Sequence, residues 1–468
     1  MASLWDHLHV NNKAAFGSIL YENGLYSGAL QLQEAVVERL RQTLNAKDIT
    51  LSNSLQSLSF TVSALGQMKA AQELQEEVVR LRKEILGERH SDTIKASNGL
   101  ANIYSSLGRL KEAKVLREGV LRLRKEILGE RHPDTIKASG NLALTYSDLG
   151  RLNEAKVLQE EVVRLMKESL GERHPDSMTA VNNLALTYVT LGRIKEAKVL
   201  QEEVMKLGKE VLGERHPSTL MASSNLALTY YSLGKLKESM ELQEEVLKLR
   251  KVVLGERHPD TTIASSNLAA SYSGLGRLNE AMALREEVMT LRKEILGVRH
   301  PDTMRAANNL ALTYYNLGRH NKAKELQEEG LKLRKEILGE LHPDTIKASN
   351  NLSVTYFHLG RLNEAERLQE EVVRLRKEVL GERHPHTINA SNNLARTYHM
   401  LGKLNEAEVL EEEVVKARKE VLGEQHSLTI KASDDLETTR RKLQQAGKAE
   451  GHQVKKSPPQ ISPSVDTI

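Results

Sequence analysis

At 468 residues, with 39% apolar, 28% charged and only 3% aromatic residues, the chain is too long for one ordinary globular core, and its composition suits a folded helical protein rather than a disordered one. A formal net charge of +4 is small for this length, and no Lys/Arg cluster stands apart from neighbouring Glu, so nucleic acid and membrane surfaces are not expected as partners. The lack of cysteine excludes disulfides, thiol catalysis and thiolate metal sites; "MASLWDHLHV" has no signal-peptide pattern, no apolar run reaches roughly 18 residues, and a cytoplasmic location is the expectation.

In chain order, residues 1–91 hold two degenerate copies of a repeat that becomes regular over 92–427. Its most recognisable stretch, "LGERHPDTIKAS" (Leu128–Ser139), has close copies beginning at Leu86, Leu170, Leu212, Leu254, Leu296, Leu338, Leu380 and Leu422, always 42 residues apart. In the period after Asp134, Ala138, Leu142, Tyr146 and Leu149 recur at steps of three and four, which predicts an amphipathic helix, here called A. Leu152, Ala155, Leu158, Val162 and Leu165 predict a second, B, whose outer face carries four-apart pairs such as Glu160 with Arg164 and Glu370 with Arg374. Gly150 separates A from B, and Gly129 ends the preceding B helix. Each period is therefore a helical hairpin, and ten glycines in register, from Gly24 to Gly402, count ten of them.

A lone hairpin orders about 42 residues at roughly 1–2 kcal/mol each in backbone entropy. Some ten buried side chains at ~1.5–3 kcal/mol leave a deficit, so hairpins must stack. In the connector, Pro133 fixes a backbone angle at the helix entrance, and Asp134 is placed to cap the next A helix or complement its dipole. At the end, "SLTIKASDDLETTRRKLQQAG" reads as a polar closing helix over 428–446. The Pro- and Ser-rich remainder, 447–468, is expected to be disordered.

The fold expected is all-α, a right-handed α-solenoid of about ten antiparallel hairpins with a C-terminal capping helix. Leu142, Ala143, Tyr146, Gly150, Leu152, Ala155 and Val162 fall at the spacings of the tetratricopeptide repeat, with a period of 42 rather than 34 residues. The longer variant resembles the repeats of kinesin light chains, through "NNLALTY" helices and "HPD" connectors, and the repeat arrays of fungal and bacterial nucleotide-binding receptor proteins. The resemblance implies a protein-binding scaffold whose A helices line a concave groove. It also raises two narrower possibilities, a receptor's sensor module and a cargo adaptor, although no heptad motor-binding segment precedes the repeats.

Catalytic and metal chemistry find no support. The register histidines, His132 and its counterparts, are two helix layers apart, roughly 16–20 Å at ~8–10 Å per layer, while zinc ligands sit at about 2 Å from the ion. "GKEVLGER" from Gly208 has Glu214 where a phosphate loop needs lysine, and "GLGRLN" from Gly274 lacks the third glycine of a dinucleotide motif. An enzyme, a cofactor and a metal are therefore not expected.

Binding residues are sought where the copies differ. After the near-constant tyrosine the residues vary and include Tyr231, Tyr315 and Phe357; two turns earlier lie Lys137, Arg305 and Lys347. Drift on an exposed face is the plain explanation, and a spacer with no groove ligand would follow from it. Diversification of a binding surface is the sharper one, because exposed aromatics are unusual in this chain. Asn141, Asn183, Asn225, Asn267, Asn309, Asn351 and Asn393 stay constant, and their amides can bond a neighbouring helix or hold an extended peptide backbone. Lys95, Lys137, Arg305, Lys347 and Arg396 face one obvious acid, Asp148, which points to an acidic or phosphorylated protein segment as partner.

Overall fold

Each 42-residue period becomes two antiparallel helices joined by a tight turn. The computed structural model describes residues 9–43 and 48–454, with side chains described to residue 446. The first hairpins are α1 (Val10–Glu22) with α2 (Tyr26–Thr43), α3 (Ile49–Ala64) with α4 (Met68–Leu86), α5 (Ser91–Ser106) with α6 (Leu110–Leu128), α7 (Pro133–Asp148) with α8 (Leu152–Leu170), and α9 (Pro175–Thr190) with α10 (Ile194–Val211). They continue as α11 (Pro217–Ser232) with α12 (Leu236–Leu254), α13 (Pro259–Gly274) with α14 (Leu278–Leu296), α15 (Pro301–Asn316) with α16 (His320–Leu338), α17 (Pro343–His358) with α18 (Leu362–Leu380), and α19 (Pro385–Met400) with α20 (Leu404–Leu422). A last helix, α21 (Ser427–Val454), closes the series. It runs beyond the expected end at 446 into the segment expected to be disordered, because no proline interrupts the chain before Pro458. Residues 455–468 of that segment lie outside the described residues.

Packing divides the chain into two compact units, residues 1–306 and 307–468. In both, a core cluster draws on an A helix, its B partner and the following A helix. Ile136, Val162, Met166 and Ala180 meet in this way in the first unit, and Ile346, Val372, Val373, Ala390 and Leu394 in the second. Fully buried Ala155 and its counterparts Ala197, Ala281, Ala365 and Ala407 let the paired helices approach closely. Among the described residues no helix is long and apolar enough to cross a membrane.

In the connector Asp134 lies in the first turn of α7, where its charge complements the helix dipole, but it does not cap the helix. His132, not Asp134, is the N-cap of α7: its Nδ1 accepts the Asp134 N–H at 3.1 Å, and Pro133 occupies the first helical turn. His90, His174, His216, His258, His342 and His384 cap their helices in the same way. An imidazole nitrogen thus replaces the usual side-chain oxygen. The exposed Arg131 pairs across hairpins with Glu168 at 3.9 Å, as Arg257 does with Glu294 at 3.0 Å and Arg383 with Glu420 at 2.7 Å; such surface pairs contribute little individually.

The hairpin turn uses Gly150 at φ +74°, where its N–H reaches the Ser147 carbonyl and the Arg151 N–H reaches the Tyr146 carbonyl, a Schellman closure. In α5, α7, α9, α11, α13, α17 and α19 a tyrosine ties that turn to the previous hairpin through a glutamate of its B helix. Tyr188 donates to Glu160 at 2.9 Å while the Arg193 guanidinium lies 4.4 Å from its ring centroid. Tyr398 does likewise with Glu370. Glu160 and Glu370 therefore do not form the pairs expected of them: Arg164 binds Glu161 and Glu168, and Arg374 binds Glu378. Burial, reinforced by the carboxylate acceptor, pushes the phenols of Tyr230 and Tyr356 up to about 12.

Within the first unit the α3–α4 turn rests on the connector that precedes α15. His300 Nε2 lies 3.2 Å from the Ala64 carbonyl oxygen, and α2 packs on α14. His300 is consequently 9% exposed whereas His132 is exposed. Burial holds its pKa below the ordinary value, with the nearby Arg292 and Arg305 adding to the effect and Asp302 opposing it. A depressed folded pKa means that the unfolded state binds the proton more readily. The stabilisation is thus full above the unfolded value of about 6.5 and is lost as pH falls through the lower folded value. Melting curves from pH 7.5 to 5 are expected to fall further for the wild type than for His300→Gln, which retains a donor for Ala64 but does not titrate; parallel curves would disprove this.

Candidate functional site

The face of each A helix turned away from the B helices is a place where repeats sharing a fold can differ without disturbing it. Along this face residues recur at i, i+4, i+7 and i+11, one stripe of an α-helix. On α11 the stripe reads Met221, Asn225, Leu228 and Ser232, with Tyr231 beside it.

The second unit places several sequence-selected residues together. Lys347, Asn351 and Asn393 line a cavity of 540 Å³ between α17, the end of α18 and the start of α19, with Arg376, Asp344, His384 and His386 also on its wall. Arg376 is pulled inward to donate to the His386 carbonyl at 2.7 Å, and burial lowers its pKa. Lys347 is exposed and has no carboxylate partner among the described residues. Beyond the cavity, the exposed Arg396 stacks its guanidinium 5.3 Å from the Phe357 ring centroid. Phe357 touches His358, and Tyr315 closes a triangle with His320 and His358 at centroid separations of 5.1, 5.3 and 5.6 Å. Burial, the His320 ring and Arg396 all lower the His358 pKa.

In the first unit two of the selected cations are neutralised. Lys137 pairs with Asp176 of the next A helix at 2.9 Å, and Arg305 pairs with Asp302 one turn before it. Acidic residues in the first turn of A helices, and not only Asp148, therefore offset the basic stripe. Tyr231 is 38% exposed, its ring lodged over Gly274, where a Cβ would come within 3.1 Å.

The asparagine row divides into two sets. Asn141 donates to Asn98 at 3.2 Å, Asn225 to Asn182 at 3.1 Å and Asn351 to Asn308 at 3.4 Å, each reaching 43 residues back to the preceding A helix. These amides bond a neighbouring helix, the first of the two alternatives. Asn183 and Asn267 have Gly140 and Ser224 at the equivalent position, and no amide hydrogen bond forms there among the described residues. Asn309 is half-buried.

Two features escaped the sequence reading. The second leucine of "NLAL" looks like core, yet Leu186, Leu228 and Leu312 are 39%, 40% and 47% exposed. The signal was available: Leu226, Ala227 and Leu228 are consecutive, about 100° apart around a helix, so they cannot all face inward. The other is His320, the sole polar residue at a position held elsewhere by Leu152, Ile194, Leu236, Leu278, Leu362 and Leu404. Among the described residues no three His, Cys, Asp or Glu side chains gather as metal ligands.

Comparison with known proteins identifies the architecture. Family models described as tetratricopeptide repeat match residues 14–49 and, in overlapping stretches, 61–336 and 344–420. No curated protein matches the sequence. Among solved structures, a Podosopora anserina kinesin-light-chain protein of nearly identical TPR-like repeats is 28% identical, covering 44% of this chain and 98% of its own, with a TM-score of 0.41. BtubC from P. vanneervenii is 22% identical over 50% of this chain and 93% of its own, with a TM-score of 0.40. A signal transduction ATPase with a tetratricopeptide repeat sensor from Pyrococcus horikoshii is 14% identical over 86% of this chain and 56% of its own, with a TM-score of 0.55. This last likeness concerns the fold alone.

Proposed function

The chain belongs to the tetratricopeptide repeat family, and on that premise we propose that it is a non-enzymatic scaffold holding an extended acidic segment of a partner protein in a groove along its A helices. The observation that carries this reading is the unneutralised Lys347 beside a 540 Å³ cavity, with Asn351 and Asn393 on the same wall. Arg396 over Phe357 extends the basic and aromatic surface. Arginine and lysine offer charge-assisted hydrogen bonds to carboxylates, and the aromatic cluster supplies an apolar floor. Tyr315 and Phe357 belong to that floor, whereas Lys137 and Arg305 already have acidic partners and contribute less.

The test is direct titration of labelled acidic dodecapeptides against wild type and the Lys347→Glu/Arg396→Glu variant. Hydrogen bonds to charged groups contribute roughly 1.5–3 kcal/mol each, so ten- to hundredfold weaker binding is expected at low salt, with a smaller ratio at high salt. Equal affinity of the two proteins for every acidic peptide would end this proposal.

A further inference from the structure

Three successive A helices of the first unit carry a different chemistry. Beyond Asp176 and Asp260 in their first turns, α9, α11 and α13 contain no charged residue, in a chain that is 28% charged. Their stripe instead exposes Leu186 at 39%, Met221 at 39%, Leu228 at 40%, Tyr231 at 38% and Ile263 at 41%. Isolated exposed leucines are ordinary, but Leu186 and Leu228 share one repeat position on adjacent helices and Met221 and Ile263 another, and such clustering of large apolar side chains marks a contact surface. The Lys137–Asp176 and Arg305–Asp302 pairs stand at its two borders.

We infer that this patch binds an extended, uncharged peptide segment bearing bulky aliphatic or aromatic side chains. Charge decides the class of partner. A carboxylate or ammonium laid on α11 would lose hydration and find no counter-charge on that helix, the cation beside Tyr231 being the half-buried Arg285 of α14, whereas apolar side chains gain by leaving water. The extended conformation follows from the amides. The side-chain amides of Asn183 and Asn267 flank the patch with no hydrogen-bond partner among the described residues, while Asn225 between them is held by Asn182. Each free amide carries both a donor and an acceptor, the pair that a peptide unit requires. An extended chain sends alternate side chains to one face, so one face of the segment meets Leu228 and Tyr231 while its backbone meets the asparagines. Tyr231 is already seated over Gly274, so little rotamer freedom remains to be lost on binding.

This inference rests on the same scaffold reading but concerns a different subsite and the opposite charge preference, so the two fail separately. A random dodecapeptide library is selected on the full chain, and enriched peptides are titrated at 50 mM and 500 mM salt, conditions about threefold apart in screening length. Enrichment of sequences without Asp, Glu, Lys or Arg is expected, with affinities nearly independent of salt. Those affinities should fall at least tenfold in Leu228→Glu/Ile263→Glu, severalfold in Asn183→Ala/Asn267→Ala, and stay unchanged in Lys347→Glu/Arg396→Glu. Both altered leucine and isoleucine side chains are exposed, so folding is expected to persist, and circular dichroism verifies it. Enrichment of charged peptides alone, or neutral binders indifferent to Leu228→Glu/Ile263→Glu, overturns the inference. Self-association abolished by that double substitution overturns it in favour of a second copy of this chain. If neutral peptides bind as described while acidic peptides do not respond to Lys347→Glu/Arg396→Glu, only the acidic-partner reading falls.

Discussion

Truncating Leu226 to alanine is expected to destabilise the protein by about 2–5 kcal/mol, and truncating Leu228, two residues along the same helix, by less than about 0.5 kcal/mol. Leu226 is fully buried between hairpins and Leu228 is 40% exposed on the open face of α11. The first substitution removes buried methyl groups and leaves a cavity that the flanking helices fill only partly. In a stacked array each hairpin lacks its second apolar surface without its neighbours, so the loss spreads to the adjoining interfaces. The second substitution leaves the core intact and should instead weaken neutral-peptide binding. Chemical denaturation of both variants measures the contrast. Equal shifts in midpoint would mean that the two leucines do not divide between core and binding face.

Gly66→Ala should cost more than Gly108→Ala, although the two glycines hold the same turn position at φ +77° and +74°. Either substitution forces an L residue into a left-handed conformation, which costs roughly 1–2 kcal/mol. At Gly108 the added Cβ meets nothing within 4 Å, whereas at Gly66 it comes within 2.8 Å of Pro301 Cδ and 2.9 Å of His300 Cδ2. The proline ring cannot swing aside, so about 1–3 kcal/mol of overpacking is added, or the contact opens. Thermal denaturation of the matched pair isolates that difference. Identical losses would show that the α3–α4 turn does not rest on the His300 connector in solution. A Gly66→Ala protein that has opened the contact should also lose the excess pH sensitivity assigned to His300.

The ten hairpins were legible because a helical stripe of apolar residues, two glycines and a proline recur at one interval, and each acts locally. Gly150 ends a helix wherever it stands, and Pro133 suits a helix entrance whatever lies nearby. Assignments of partners were less legible. Asp134 has the side chain of an ordinary cap, yet His132 takes that role, since the choice depends on which acceptor reaches the N–H at the helix start. Glu160 stands four residues before Arg164, yet it accepts from Tyr188, 28 residues away, because the next hairpin brings a phenol to it.

The candidate site shows the same division. Repeat-to-repeat variation selected Tyr231, Lys347 and Phe357, all of which lie on or beside the open face. It could not separate Lys137, matched by an aspartate on the next helix, from Lys347, which has none, because both are lysines at one repeat position.

What the sequence by itself determined is the hairpin, its length and its number, since these follow from periodicity and backbone preference within about 42 residues. Which polar groups are consumed in stacking and which remain for a partner was decided by tertiary structure alone. Hydrogen bonds and ion pairs depend on distances of a few ångströms between residues 28 to 43 positions apart, as between Asn225 and Asn182. The sequence places Asn183 and Asn225 in identical motifs; only the helix packed beside each one leaves the first amide free and occupies the second.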